Sequence, residues 1–214
     1  MKKERIPVAA EGYPFIGYSA LLTILSALLG FPLIALILLV TTTFILMFFR
    51  DPERTTPEID RGVISPADGK IIFVETTRDE RFAAEDVLKI SIFMNVFNVH
   101  VNRIPFSGKV SKVHHVPGSF LAADSEKAHL NNEYCAVKIT TGDQREITMV
   151  QIAGLIARRI ICRLETGDTI KRGQRDGVIR FGSRVDLYLP HQSNPVVKVG
   201  DKVIAGESLL AYLG

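Results

Sequence analysis

The chain has 214 residues, 47% of them hydrophobic, and a formal net charge of +3. This length suits one domain with a sizeable core plus an appendage. The charge is mild and no stripe of Lys and Arg interleaves with aromatic residues, which argues against a nucleic-acid partner. The two cysteines, Cys135 and Cys162, lack metal-ligand spacing. They predict reduced thiols in the core of a cytosolic protein region.

An uncharged, strongly apolar run extends from Gly12 to Phe49. Glycine and proline in Gly30-Phe31-Pro32 interrupt it near its middle, and both residues favour a break in a helix. The run therefore predicts a helical hairpin, with helices at Tyr13–Leu29 and Leu33–Phe49. Its length exceeds that of a cleavable signal peptide and is enough for two short membrane segments. The pattern leaves open whether the hairpin is transmembrane or re-entrant.

Basic residues flank this run on both sides, among them Lys2 before it and Arg50 after it. Positive charge at both ends favours a cytoplasmic position for both ends. We therefore divide the chain into a membrane hairpin at 1–50 and a second region at 51–214, which we expect on the cytoplasmic side of the cell membrane.

The second region has short apolar runs separated by Gly, Asp and Asn turns. This pattern predicts a mainly β (α+β) fold, arranged as a compact β-sandwich or half-barrel. A short helix fits at Ala83–Asp86 or Asp124–His129, and Ala153–Arg159 fits either a helix or a strand. The candidate strands are Gly62–Ile64, Lys70–Glu75, Val87–Phe93, Val99–Arg103, Gly108–Val116, Tyr134–Thr140, Glu146–Ile152, Ile160–Glu165, Val178–Phe181, Arg184–Leu189 and Ser208–Tyr212.

Two glycine-flanked turns, Gly167–Gln174 and Gly200–Glu207, repeat a similar pattern. Such turns resemble those of biotinyl and lipoyl carrier domains, so a membrane-anchored carrier or binding module is the rival hypothesis. Those carriers present a lysine within Met-Lys-Met or Asp-Lys-Ala, and neither triplet occurs in this sequence.

A Gly182-Ser183 pair lies between two apolar, strand-like runs near the C-terminus. Glycine and serine are ordinary turn formers, so the pair alone is compatible with a simple turn. In a strained peptide with a base and an oxyanion donor nearby, however, the Ser183 hydroxyl can attack the preceding carbonyl. The resulting ester can undergo β-elimination, which breaks the chain and converts Ser183 to a pyruvoyl group. Its ketone would serve as an electron sink for decarboxylation of an amine substrate.

Candidate partners for Ser183 occur earlier in the chain. Asp68-Gly69 is typical of a tight turn, whereas His100 lies on an alternating segment where it shares one face with Asn102. These residues alone fit a structural role as well as a catalytic one. The adjacent His114 and His115 would point to opposite faces of a strand, so we predict no metal site.

Five motifs follow one another along the chain. They are Phe49-Arg50-Asp51-Pro52, Ser65-Pro66-Ala67-Asp68-Gly69, Asn98-Val99-His100-Val101-Asn102-Arg103, Val116-Pro117-Gly118 and Phe181-Gly182-Ser183-Arg184-Val185-Asp186. This order is the one seen in phosphatidylserine decarboxylases, and the chain resembles the short prokaryotic class of that family. The resemblance implies a self-processing triad of Asp68, His100 and Ser183. His100 would take the Ser183 proton, and Asp68 would orient the imidazole.

The resemblance also implies cleavage between Gly182 and Ser183 into a β chain, 1–182, and an α chain, 183–214. Better-known members have Leu-Gly-Ser-Thr or Leu-Gly-Ser-Ser at this point, so Phe181 and Arg184 depart from the commoner pattern. They also have a second histidine three residues after the first, where this chain has Arg103.

The implied reaction converts phosphatidylserine to phosphatidylethanolamine and carbon dioxide at the membrane surface, with pyruvoyl as the cofactor. The resemblance also implies that the protein could form a homodimer. Candidates for binding the lipid phosphate are Lys70, Arg103, Arg158 and Arg159.

Overall fold

The computed structural model describes residues 7–82, 85–118, 132–154, 160–179 and 183–214. The chain divides into two compact units, Met1–Glu53 and Arg54–Gly214. In the described residues, the first unit is helical and the second is built from β-strands.

The first unit is a helical hairpin. A short 3₁₀ turn at Ala10–Gly12 leads into helix α1, Tyr13–Leu28, and helix α2 follows at Pro32–Phe48. Gly30 between them has a φ of 78°, a conformation that glycine adopts at little cost. Pro32 opens α2 at a position where its missing N–H is not needed. The predicted hairpin is confirmed, with each helix end within one residue of the expected position.

Contacts between the two helices hold the hairpin closed. The hydroxyls of Thr23 and Thr42 lie 3.4 Å apart, and the rings of Phe15 and Phe49 stack with centroids 5.6 Å apart. None of the helices in the described part of the chain is long and apolar enough to cross a membrane. Of the two alternatives that the sequence left open, the transmembrane hairpin is therefore not confirmed.

The second unit contains fourteen strands in its described residues. They are β1 Gly62–Ile64, β2 Gly69–Thr77, β3 Val87–Met94, β4 Val101–Arg103, β5 Gly108–Val116, β6 Tyr134–Thr140, β7 Glu146–Ala153, β8 Ile160–Cys162, β9 Thr169–Ile170, β10 Arg175–Ile179, β11 Ser183–Pro190, β12 Asn194–Pro195, β13 Lys202–Val203 and β14 Leu209–Tyr212.

These strands form three antiparallel sheets. The largest has eight strands in the order β13-β2-β3-β11-β7-β6-β5-β9, and the smaller two have the orders β1-β14-β12 and β4-β10-β8. Strand β11 is internal to the large sheet, since it pairs with β3 on one side and β7 on the other. The mainly β, half-barrel prediction is confirmed.

The core lies against one face of β11. Val185, Leu187 and Leu189 alternate along the strand and belong to the main hydrophobic cluster, with cross-strand partners that include Ile92 and Met149. Burying a side chain of this size contributes about 1.5–3 kcal/mol. The inner face of β11 is therefore apolar from Val185 onward, and Ser183 is the polar residue at its start.

Every predicted strand has a counterpart in the structure. Strands β9, β12 and β13 were not predicted, because two residues are too few to show an alternating pattern. The candidate helix at Asp124–His129 lies outside the described residues, as do residues 155–159 of the ambiguous segment. The other candidate helix, at Ala83–Asp86, was wrong in its described part, since Glu85 and Asp86 are not helical.

The opposite face of β11 carries a buried ion pair. The Arg184 guanidinium donates from Nε to Oδ1 of Asp186 at 2.6 Å and from Nη2 to Oδ2 at 2.9 Å. It also donates to the Ser91 hydroxyl at 3.1 Å and lies over the Phe73 ring, 5.0 Å from its centroid. Both charged residues are fully buried. Removing one partner of such a pair leaves an uncompensated buried charge.

We therefore expect Asp186→Asn to lower the free energy of unfolding by about 3–5 kcal/mol. In a protein of this size, that loss lowers the thermal midpoint by roughly 10 °C, measured by circular dichroism. The matched control is Glu146→Gln, which removes the exposed carboxylate paired with Lys138 and should shift the midpoint little. Equal small shifts in both variants would contradict a stabilising role for the buried pair.

Candidate active site

Ser183 is the first residue of β11 and is fully buried. It pairs across the sheet with Met94 of β3 and Ala153 of β7. Its hydroxyl donates to the Met94 sulfur at 3.4 Å, and a thioether is a weak acceptor. The preceding Gly182 lies outside the described residues. The structure thus places the predicted nucleophile at the end of an internal strand, with its hydroxyl in a weak hydrogen bond.

His100 immediately precedes β4 and is almost completely buried. Its Nδ1 lies 2.9 Å from the Asn98 carbonyl oxygen. A carbonyl only accepts, so Nδ1 carries the proton and Nε2 is the basic nitrogen of the neutral ring. The carbonyl oxygen of His100 accepts from the Ile179 backbone N–H at 3.3 Å. Because Ile179 ends β10, His100 lies beside the strand that leads into the Gly182-Ser183 pair.

Asp68 lies in the turn before β2, and its carboxylate has two described partners. The Arg54 guanidinium donates to both oxygens, at 3.0 and 3.3 Å, and the Ala205 N–H donates to Oδ1 at 2.7 Å. The same turn contacts β4, since the Arg103 N–H donates to the Pro66 carbonyl at 2.8 Å. This backbone contact brings the turn next to the strand that follows His100. The orienting role of Asp68 toward His100 stays a prediction.

Two buried amides linked to each other, one of them next to the Met94 sulfur, were not predicted as site residues. Asn102 of β4 and Gln151 of β7 are fully buried, and Gln151 Nε2 donates to Asn102 Oδ1 at 2.9 Å. Asn102 Nδ2 in turn contacts the Met94 sulfur at 3.7 Å. Gln151 could have been noticed in the sequence as a lone amide in the apolar run of β7. Asn102 was predicted to share a face with His100, but it was not predicted to be a site residue.

Cys162 of β8 and Asp176 of β10 are acidic groups on paired strands. Cys135 is the cross-strand partner of Gln151, and the Cys162 thiol lies 3.6 Å from Asp176 Oδ1. A hydrogen bond with Cys135, together with burial, raises the pKa of Cys162 far above its ordinary value. Burial and the neighbouring thiol raise the pKa of Asp176 well above its ordinary value. Both groups favour their neutral forms, so Cys162 is a poor candidate for a thiolate nucleophile.

Arg103 occupies the position where the resemblance implies a second histidine. It is buried, and its Nη1 donates to the Gly173 carbonyl at 3.0 Å. Lys70 is exposed on β2, whereas Arg158 and Arg159 lie outside the described residues. The candidate phosphate-binding residues are therefore not assembled into one site by the described part of the chain.

His114 and His115 occupy different environments on β5. The ring of His114 lies against Tyr134, and His115 Nε2 lies 3.0 Å from Glu133 Oε1. Among the described residues, no three His, Cys, Asp or Glu side chains are grouped as metal ligands would be.

Comparison with known proteins identifies the family. A family model described as phosphatidylserine decarboxylase matches residues 41–211. A protein named phosphatidylserine decarboxylase proenzyme from Desulfotalea psychrophila is 54% identical over 213 residues, covering 100% of both chains. Proteins of the same name are 46% identical in Geotalea uraniireducens, covering 100% of both chains, and 49% identical in Ralstonia nicotianae, covering 96% of this chain and 95% of the relative. The chain belongs to the phosphatidylserine decarboxylase family.

Proposed function

We propose that this enzyme cuts its own chain at Gly182-Ser183 and then decarboxylates phosphatidylserine to phosphatidylethanolamine. The observation that carries the proposal is the position of Ser183. It is a buried hydroxyl at the start of an internal strand, and His100 borders the strand that leads into it. The family match and the name proenzyme among the relatives support the same activity. The rival hypothesis of a carrier module gains no support from the family match.

Self-cleavage begins with attack by Ser183 Oγ on the Gly182 carbonyl carbon. The hydroxyl proton passes to Nε2 of His100, and the carbonyl electron pair moves onto its oxygen. Collapse breaks the C–N bond, and the nitrogen takes up a proton, which gives an ester with a free amine. Loss of the Ser183 Cα proton then expels Gly182 as a carboxylate. Water releases ammonia from the remaining enamine and leaves the β chain, 1–182, and the α chain, 183–214.

The surroundings of Ser183 fit the pyruvoyl group that this cleavage would leave. The position is fully buried between Met94 and Ala153, which suits a small uncharged ketone that must be kept from water. The group supplies an electron sink for the pair left by the departing carboxylate. His100 holds the proton that we expect to be returned to the substrate carbon, at Nε2.

We assign the hairpin the task of holding the enzyme at the cell membrane, with residues 51–214 on the cytoplasmic side. It exposes many large apolar side chains, including Tyr18 at 71%, Leu28 at 79% and Leu33 at 70% exposure. Contiguous apolar surface of this kind is typical of a membrane or protein contact. The substrate is itself a bilayer lipid, so a hairpin that enters and leaves by the same membrane face would bring the site to the head group. The homodimer stays a prediction.

The direct test of the function is Ser183→Ala, which removes the attacking hydroxyl. We expect the chain to stay uncut on a denaturing gel and to release no carbon dioxide from phosphatidylserine in mixed micelles. The matched control is Ser193→Ala, which removes another buried serine from the same C-terminal segment and should leave cleavage and activity at the wild-type level. A Ser183→Ala protein that is cut, or that is uncut but active, would refute the proposal.

The same assay tests the base. His100→Ala should also stay uncut, because the Ser183 proton then has no acceptor at Nε2. Normal cleavage and activity in this variant would assign the base to a different residue, with His115 the next candidate from the sequence.

Membrane attachment is tested by the double substitution Leu28→Lys and Leu33→Lys. Both side chains are exposed, so the fold should tolerate the change, whereas insertion of lysine into a bilayer is costly. We expect at least a roughly tenfold fall in the protein bound to sedimenting phospholipid vesicles, with self-cleavage unchanged. The control is Val199→Lys, an exposed apolar position in the second unit. Vesicle binding equal to wild type in the double variant would contradict the anchoring role.

A further inference from the structure

Asn102 and Gln151 form a buried amide pair on the same side of β11 as Ser183. Gln151 lies opposite Val185, two residues along the strand from the pairing of Ser183 with Ala153. Residues two apart on a strand share a face, so Gln151 and Ser183 face the same interior. Both amides are fully buried, and Gln151 pairs with Val185 of the main hydrophobic cluster. Buried amides in such a place need an explanation, because most cores avoid them.

The pair fixes which way the Asn102 amide points. Gln151 Nε2 donates to Asn102 Oδ1 at 2.9 Å, so the Nδ2 group of Asn102 faces away from Gln151. The acceptors on that side are weak or distant: the Met94 sulfur at 3.7 Å and the Pro66 carbonyl at 3.4 Å. Asn102 therefore keeps N–H donor capacity that a better-placed oxygen can use.

The Asn102 amide and the predicted nucleophile share one neighbour. The sulfur that Asn102 Nδ2 contacts is the one that accepts the Ser183 hydroxyl at 3.4 Å. His100, the proposed base, precedes Asn102 by two residues in the chain. Hydroxyl, base and amide donor thus come from β11 and from the segment that includes β4.

Attack by Ser183 moves an electron pair onto the Gly182 carbonyl oxygen, and this oxyanion needs a hydrogen-bond donor. We infer that Asn102 Nδ2–H is that donor and that Gln151 is its positioning residue, which holds the amide through Oδ1. The inference rests on the self-cleavage proposed above. Loss of one oxyanion donor typically slows a reaction by about 10²–10³-fold.

A purely structural pair is the competing explanation. Gln151 Oε1 is buried and has no hydrogen-bond partner among the described residues. An unpaired buried oxygen is destabilising, so the pair is poorly suited to a role in stability alone. The two explanations differ in what they predict for the cleavage rate.

The experiment follows cleavage of the full-length chain after a pulse of cell-free synthesis. Asn102→Ala, and the similarly sized apolar Asn102→Leu, should release residues 183–214 about 10²–10³-fold more slowly than wild type. Hydroxylamine cuts an ester at Ser183, so it reports whether the acyl shift has occurred. We expect no hydroxylamine-sensitive chain to accumulate in either variant, because the block precedes the ester. The control Thr141→Val removes a buried hydroxyl just beyond the far end of β6 and should cleave at the wild-type rate.

Gln151→Met tests the positioning role, because methionine has a volume similar to that of glutamine and has no N–H donor. It should slow cleavage by about tenfold in the wild-type background and have no further effect in the Asn102→Ala background, because it acts through Asn102. A merely structural residue would slow cleavage equally in both backgrounds, in proportion to the fall in thermal midpoint.

Several results would overturn the inference. One is cleavage of either Asn102 variant within about twofold of wild type. Another is accumulation of the hydroxylamine-sensitive ester, which would place Asn102 in the elimination step. If both Asn102 variants fail to fold, the Gln151→Met variant decides. The inference is then overturned if Gln151→Met slows cleavage no more than Thr141→Val does. A wild-type chain that stays uncut in the same assay would instead refute the proposed function.

Discussion

The backbone pairing of β11 on both of its edges is the constraint on which the site depends. Eight consecutive residues pair with β3, and six of them also pair with β7, starting in both cases at Ser183. A slip of one residue would move every side chain of the strand to the other face of the sheet and take Ser183 away from Met94. The buried Arg184–Asp186 pair opposes such a slip, because the slip would place both charged side chains in the apolar core.

The two faces of β11 therefore have different tasks. One face carries the side chain of Arg184, which is fixed by its bonds to Asp186 and Ser91 and directly follows Ser183 in the chain. The other face carries Ser183, a fully buried hydroxyl whose neighbours in the sheet are Met94 and Ala153. A hydroxyl in such a place needs a base and an oxyanion donor, and β4 and the residue before it offer candidates for both. The proposed cleavage would leave the new end of the α chain held by the same strand pairs.

Much of the fold could be predicted because its elements are local. Strands β1, β5 and β6 were predicted to the residue, since alternating apolar positions and flanking turn residues mark their ends. The hairpin was predicted from Gly30 and Pro32. The two-residue strands could not be predicted, because pairing with distant segments, and not local sequence, defines them.

The site was less accessible from sequence. Ser183, His100 and Asp68 were singled out together only through the family resemblance, since each also fits an ordinary structural role. Asn102 and Gln151 are 49 residues apart, and nothing local indicates that their amides meet. The ion pair of Arg184 with Asp186 has a local spacing of two, but its burial follows from the packing of the whole sheet.

The intact mass of the purified wild-type protein, with an assay of the same sample on phosphatidylserine, tests the central claim most directly. Conversion of Ser183 predicts two chains: one of residues 1–182 ending in a free carboxylate, and one of residues 183–214 whose first residue is pyruvoyl and has no free amine. Borohydride should raise the mass of the smaller chain by that of two hydrogens, because it reduces the ketone. A single full-length chain in a sample that decarboxylates the lipid would contradict the account.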